Sequence, residues 1–240
     1  MSALTRWMDA RLYPKHGNNW DDELFRQRLL TQISSRTRCL DFGCGRGNVK
    51  QMNFKGLAGW VSGVDPEKAV FENPYLNDGA LLDLQAMHIP YPEQSFDLVF
   101  ADNVMEHVVD PVATLSEIRR VLKPGGRFLA KTPNKWHYMP IIARITPTGF
   151  HRYYNRLRGR EAIDTFPTQY RSNTEADVRA VAERSGLRVR QIEFIEGRPE
   201  YLRIFALSYL LGWVYERLVN ALPLLTRLRC VMVFELERPT

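Results

Sequence analysis

An acid, one aromatic residue and three spaced glycines stand together at Asp41-Phe42-Gly43-Cys44-Gly45-Arg46-Gly47. Glycines at this spacing let a backbone turn sharply, pass close to a ligand and enter the next element. The run alone is shared by dinucleotide sites and by ordinary turns, and Asp41 narrows the choice. A carboxylate beside the turn attracts an ammonium group and repels a pyrophosphate. A second acid, Asp65, closes Gly63-Val64-Asp65-Pro66, 18 residues after Gly47. An acid there can accept both hydroxyls of a ribose; the competing role is a cap ahead of Pro66-Glu67. Next comes Asp83-Leu84-Gln85-Ala86-Met87. The Gln85 side-chain oxygen can take an adenine amino hydrogen while Leu84, Ala86 and Met87 sandwich the ring; a plain polar loop is the alternative. No phosphate-binding Lys-Ser/Thr follows the glycines. The set describes an adenosine that carries a cationic amino-acid end rather than phosphates, which points to S-adenosylmethionine.

Such residues act together only if strands bring their ends to one edge, because ligands of open α/β sheets bind beyond the carboxyl ends of strands. Strands are expected at 39–42, 59–64, 80–82 and 96–101, with a helix from the glycine loop to about Phe54. Pro111 opens a helix whose Val112, Leu115, Ile118, Val121 and Leu122 share one face. Lys123-Pro124-Gly125-Gly126 stops it and turns into strand 127–131. A helix at 21–34 precedes this core. A further helix at 174–185, capped by Asn173 or Thr174 and stopped by Gly186, leads to strand 187–194. Strand 230–236 closes the chain and pairs with 187–194 as an antiparallel edge. The alternation predicts an α/β fold, a mostly parallel sheet with helices on both faces.

The chain has 240 residues, 45% of them hydrophobic and 25% charged, enough for a sizeable core and unlike a disordered or disulfide-stapled chain. Cys39, Cys44 and Cys230 form neither a disulfide framework nor a metal-ligand spacing, and no metal ligands are assigned; the need for a divalent metal stays open. Residues 1–17 lack the pattern of a secretory leader, and no run of 18 apolar residues occurs, so a cytoplasmic address is expected. The excess of 33 basic over 27 acidic residues is local. Lys131, Lys135, Arg144, Arg152, Arg156, Arg158 and Arg160 fall within 30 residues that contain no acid. They form either a patch for an anionic partner or a solvated face of an insertion. No nucleic-acid-binding motif accompanies them, so nucleic acid is the weaker partner.

These motifs, in this order, resemble those of the class I (Rossmann-like, seven-stranded) S-adenosylmethionine-dependent methyltransferases, in particular the ubiquinone-biosynthesis O-methyltransferases and related small-molecule enzymes. The likeness rests on Leu40 to Gly47, on Gly63-Val64-Asp65-Pro66, on Ile89 to Val99, on Asn103-Val104-Met105-Glu106-His107 through Pro111, and on Arg120-Val121-Leu122-Lys123-Pro124-Gly125-Gly126. It covers residues 36–133 and extends more weakly to 194. It implies that Asp41, Gly43, Cys44, Gly45, Gly47, Asp65, Pro66, Asp83, Leu84, Gln85, Asn103, Val104 and His107 hold the cofactor. The family usually has an acid where Gln85 stands, which leaves Asp83 and Gln85 as rivals for the adenine amine. The reaction implied is in-line methyl transfer to oxygen, nitrogen or carbon, with oxygen preferred. His107 would be the base if the acceptor is a hydroxyl, or else would pack or orient the cofactor loop.

The resemblance also suggests where an acceptor would lie. It divides the chain into an N-terminal lid or helix at 1–35 and a methyltransferase domain at 36–240. Within that domain come a basic acceptor-side insertion at 134–172 and an apolar helical segment at 201–225. Tyr13, His16, Trp20, Asn134, His137, Tyr138, Tyr170 and Arg171 are the candidates to grip an acceptor. That acceptor would be small, or lipid- or sugar-linked, and could carry an anionic group. Residues 204–215 are almost wholly apolar yet too short to span a bilayer, so they form a core helix, a homodimer face or a peripheral contact with the inner membrane surface. An RNA methyltransferase and a non-catalytic scaffold that kept the fold stay open as alternatives.

Overall fold

A computed structural model describes residues 3–14, 16, 17, 19–145 and 167–240. In chain order its main elements are α1 (Ala3–Leu12), α2 (Trp20–Leu30), β1 (Arg38–Phe42), β2 (Trp60–Asp65), β3 (Asp78–Leu81), β4 (Phe96–Asp102), α3 (Pro111–Val121), β5 (Leu122–Pro133), α4 (Tyr138–Ile145), α5 (Glu175–Arg184), β6 (Arg188–Ile195), α6 (Ala206–Ala221) and β7 (Val231–Glu237). They fall into two compact units. The larger comprises 21–132, 168–193 and 232–240; the smaller comprises 1–20, 133–167 and 194–231. The N-terminal segment at 1–35 is therefore divided, with α1 in the smaller unit and nearly all of α2 in the larger.

The larger unit is built on a seven-stranded sheet in the order β3-β2-β1-β4-β5-β7-β6, with helices on both faces. Strands β3, β2, β1, β4 and β5 are parallel. Cys39, Leu40 and Phe42 of β1 and Leu98, Val99 and Phe100 of β4 are buried, as expected of central strands covered on both sides. Strand β7 runs the other way. Gly125 N–H donates to Arg238 O and Arg238 N–H to Gly126 O, both at 2.9 Å, and Arg127 pairs with Glu235. Register sets Asp41 beside Gly63 on one side and Phe100 on the other, and Asp65 beside Leu81. The strand ends thus lie level, and the polar residues that follow them gather at one edge.

Helix boundaries follow their caps. The Asp110 carboxylate accepts from Val112 N–H and Ala113 N–H at 3.0 Å, with Pro111 in the first turn of α3. Thr174 caps α5 by accepting from Asp177 N–H, and Gly186 stops it at φ +70°, the left-handed conformation that glycine tolerates.

Several expectations change, among them the Lys123-Pro124-Gly125-Gly126 turn, which lies inside β5, and the helix at 21–34, which ends at Leu30. The helix predicted between the glycine turn and Phe54 shrinks to one 3-10 turn, Lys50–Met52, with Val49 and Asn53 extended on either side. Asn48, Val49 and Asn53 are weak helix formers, and seven residues cannot offset the cost of nucleation. The third strand is Asp78–Leu81 rather than 80–82. The apolar helix starts at Ala206 rather than 201, after a stretch of turns beyond Pro199. Arg152, Arg156, Arg158 and Arg160 of the basic insertion lie outside the described residues. Lys131, counted with them, is a correction: it is wholly buried.

Candidate functional site

At the end of β1 the chain is held in its turn by β2. The N–H groups of Gly43 and Cys44 donate to Val64 O at 2.8 and 3.3 Å. Gly43 has φ +77°, and a Cβ there would come within 2.5 Å of Val104 Cγ2, so conformation and space both demand glycine. The Asp65 carboxylate completes the turn, accepting from Gly45 N–H at 2.8 Å and, through its other oxygen, from Glu67 N–H at 2.9 Å. Asn73 closes the loop from the far side, donating to Cys44 O and Gly45 O at 3.0 and 3.2 Å. Pro66 continues the chain from Asp65. Gly45, at φ +49°, has no atom within 4 Å of the position a Cβ would take. The mouth of the loop is open.

Asp41 lies beneath this turn, 6% exposed, and among the described residues no hydrogen bond or ion pair reaches its carboxylate. Burial, then the nearby charges of Asp102 and Asp65, raise its pKa well above the usual carboxylate range. The nearest part of the sheet does contain a cation, but it is committed elsewhere. Lys131, at the end of β5, is paired with Asp21 and Asp102 at 2.9 Å and with Asp22. Burial alone would lower its pKa; Asp102, Asp21 and Asp22 outweigh that and raise it. Asp102 is itself pushed up to about 6 by burial, against the opposing pull of Lys131. Asp41 is thus a buried acid that lacks a cation. An ammonium group entering at the glycine turn would supply one, so the donor set fits S-adenosylmethionine.

Beyond β3, Asp83 accepts from Gln85 N–H and Ala86 N–H at 2.8 and 3.0 Å, folding the loop on itself. Leu84 and the Gln85 side chain are exposed. Asp83 is occupied with its own turn, and Gln85 is left facing outward.

At the end of β4, Asn103 adopts φ +54° and donates to Asp102 at 3.2 Å. Val104 abuts Gly43, and His107 N–H donates to Val104 O. His107 Nε2 stands 3.9 Å from Glu106 Oε1. Glu106 is buried and accepts from the Thr132 hydroxyl at 2.9 Å, and burial raises its pKa. Its carbonyl receives Gln169 N–H and Tyr170 N–H, Arg171 donates to Val109 O at 2.6 Å, and Asn173 donates to Thr132 Oγ1 at 2.7 Å. Tyr170 and Arg171 are thereby tied to the β4 end. Thr132 and Asn173, which link Glu106 to that segment, were missed because they are 41 residues apart in sequence. The run Gln169-Tyr170-Arg171-Ser172-Asn173 was the available signal.

The remaining acceptor-side candidates belong to the smaller unit. Tyr13 donates to Glu216 at 2.8 Å and meets His16 edge-on; His16 in turn meets Trp20. Burial and then Arg198 lower the His16 pKa. Asn134 is spent on structure, since its amide donates to Arg227 O and Arg229 O at 2.8 and 2.6 Å and its oxygen accepts from Trp136 N–H. His137 is buried against Tyr138, Tyr201 and Tyr215. Its Nε2 has no hydrogen-bond partner and faces Glu196 Oε2 at 3.8 Å. Glu196 accepts from Cys230 N–H at 2.9 Å, and the ligand-type atoms of His137, Glu196 and Cys230 lie within 4.8 Å of one another. Spacing in the chain gave no hint of this cluster. Burial takes His137 down to about 3 and Glu196 up to about 8. Both are therefore uncharged near pH 7, and a divalent cation there would have to displace the Glu196 proton.

A sequence model described as a methyltransferase domain matches residues 40–130. The chain is 35% identical over 165 residues to demethylmenaquinone methyltransferase of Symbiobacterium thermophilum, covering 63% of this chain and 60% of that protein. It is 32% identical over 136 residues to ubiquinone biosynthesis O-methyltransferase of a Bradyrhizobium species, covering 50% and 52%. The chain thus spans a little over half the length of these curated relatives. Among solved structures, geranyl diphosphate C-methyltransferase from Streptomyces coelicolor A3(2) superposes with a TM-score of 0.55 over 91% of this chain and 78% of that one, at 16% identity. A likeness at that identity is one of fold.

Proposed function

We propose that the chain is a class I S-adenosylmethionine-dependent methyltransferase, with S-adenosylmethionine as its cofactor, and that it methylates a hydroxyl oxygen of a small, lipid-linked or sugar-linked acceptor. The observation that carries this reading is Asp41, a buried carboxylate without a cation at the foot of an open glycine turn. When bound, the cofactor supplies a methyl group already activated by its sulfonium, which departs as a neutral thioether. The protein's task is then alignment, exclusion of water and removal of one proton.

In this reading Asp41 holds the ammonium end. Gly43, Cys44, Gly45 and Gly47 present backbone to the ligand, while Asn103 and Val104 close the opposite side. Asp65 meets the ribose with the lone pairs left after it accepts from Gly45 and Glu67. Leu84 and Gln85, more than Asp83, meet the adenine. His107 takes the acceptor proton, and Glu106 stabilises the imidazolium that forms. The names of the relatives, for demethylmenaquinone and ubiquinone biosynthesis, support an acceptor of that general kind.

The test is calorimetric titration of wild type and Asp41→Asn with S-adenosylhomocysteine and with methylthioadenosine, which lacks the amino-acid end. The expected result is a loss of about 100-fold for the first ligand, about 2.7 kcal/mol, and an unchanged affinity for the second. Equal losses for both ligands, or no binding by the wild type, would overturn the assignment.

A further inference from the structure

Helix α6 of the smaller unit is amphipathic in the wrong sense for water. Its inward face carries Tyr209, Gly212, Glu216 and Val219. Glu216 is held there by the Tyr13 hydroxyl and the Asn220 amide at 2.8 and 2.6 Å. The outward face follows helical spacing through Leu207, Leu210, Leu211, Val214 and Leu218, all exposed, with Leu207 at 72% and Leu211 at 63%. The stripe continues into the next turn with Leu224 at 91%, and Phe205 opens it. Helix α1 packs against α6 through Met8 and Tyr209, with Tyr209 donating to Asp9 at 2.8 Å, and it adds exposed Leu4 and Trp7. Monomeric proteins rarely leave contiguous apolar surface of this extent to solvent.

The charges of the unit select what covers it. Its described acids are turned inward and engaged. Asp9 pairs with Arg203, Glu200 with Arg198 and Arg203, Glu216 with Tyr13, Asn220 and, at 3.2 Å, the half-exposed Arg217, and Glu196 with Cys230 N–H. Arg6, Arg11, Arg217 and Arg227 are exposed. An apolar face rimmed by arginine, with no exposed acid among the described residues of this unit, is complementary to an anionic lipid surface. A second copy placed face to face across a two-fold axis would bring the same arginines together instead. No helix among the described residues is long and apolar enough to cross a membrane, so contact would lie in the plane of the interface.

We infer that the outward face of α6, with Leu4 and Trp7 of α1, docks the protein on an anionic membrane surface. The inference is independent of the methyl-transfer reading. It is tested by flotation of the protein with vesicles of phosphatidylcholine alone and of phosphatidylcholine containing phosphatidylglycerol. The expected result is binding to the anionic vesicles at least tenfold tighter than to the neutral ones, weakened by salt. The double variant Leu211→Glu, Val214→Glu would lose it while keeping wild-type affinity for S-adenosylhomocysteine; Arg217→Glu would lower it severalfold. These leucine and valine side chains are exposed, so folding is preserved, and a melting curve checks this. Absence of vesicle binding, or equal binding to both vesicle types, overturns the inference. So does a concentration-dependent dimer in sedimentation that the double variant dissolves, since that assigns the face to a second copy.

Discussion

At the strand ends of the larger unit, Asp41, Asp65 and Asp102 crowd one edge of the sheet, and one lysine, Lys131, is shared by Asp21, Asp22 and Asp102. In the smaller unit Glu196 is equally buried but faces an uncharged imidazole. The first region keeps its charges and satisfies most of them with a cation and backbone N–H groups. The second discharges its acid by raising the pKa. Burial is common to both, and what differs is whether a positive charge is within reach. Asp41 belongs by position to the first region and by environment to the second. That mixed character is what a site awaiting a cationic ligand should show.

Removing the shared cation should separate the two regions most sharply. Lys131→Met would leave Asp21, Asp22 and Asp102 close together without compensation, and an unfolding titration should show a loss of about 3–5 kcal/mol. A loss below about 1 kcal/mol would mean that Asp22 and Asp102, both raised by burial, are already neutral, like Glu196. Asp41→Asn should act in the opposite sense. Its folded pKa is raised, so the carboxylate destabilises the fold increasingly as pH climbs above 3.8. At neutral pH the ligand-free variant should therefore be more stable than wild type in the same unfolding titration, whereas its ligand affinity falls.

The smallest effect concerns Glu196 and His137. Between pH 4.5 and 6.5 the pair holds one proton folded, on Glu196, and one unfolded, on His137, so stability from the pair is level. Above 6.5 the unfolded chain releases that proton while folded Glu196 keeps its own up to about 8, and stability falls as pH rises. Below 4.5 the unfolded chain binds a second proton that folded His137 refuses down to about 3, and stability falls again. Glu196→Gln should remove the alkaline limb, worth about 1 kcal/mol between pH 6.5 and 8, in melting curves taken across that range. An unchanged limb would place the titration elsewhere.

The glycine turn, Asp41, Asp65 and the capped helices were legible in the sequence because each depends on neighbours within a few residues. The roles of Lys131 and His137 were not. Lys131 reads as one of a basic cluster, but its partners Asp21 and Asp22 stand 110 and 109 residues earlier, and only strand order brings them together. The His137 cluster draws on three separate segments. The apolar stretch at 204–215 was recognisable, but its periodicity leaves open which face points inward. A buried glutamate at 216 and an outward row of leucines resolve that, against the usual expectation for a surface helix. Asn134 was legible only as a polar candidate; that its amide holds the carbonyls of Arg227 and Arg229 depends on a segment 93 and 95 residues further along the chain.

Asp65 grips Gly45 and Glu67 through both oxygens, and Asn73 fastens the same loop from behind. The turn is therefore wound before anything enters it, and its conformational entropy is lost during folding rather than during association. A guest meets a rigid receptor, so its arrival should be limited by diffusion and desolvation, with little waiting for the loop to take shape. The Gly45 amide donates to Asp65, the carboxylate proposed to meet the ribose, so its resonance should report occupancy of the proposed site.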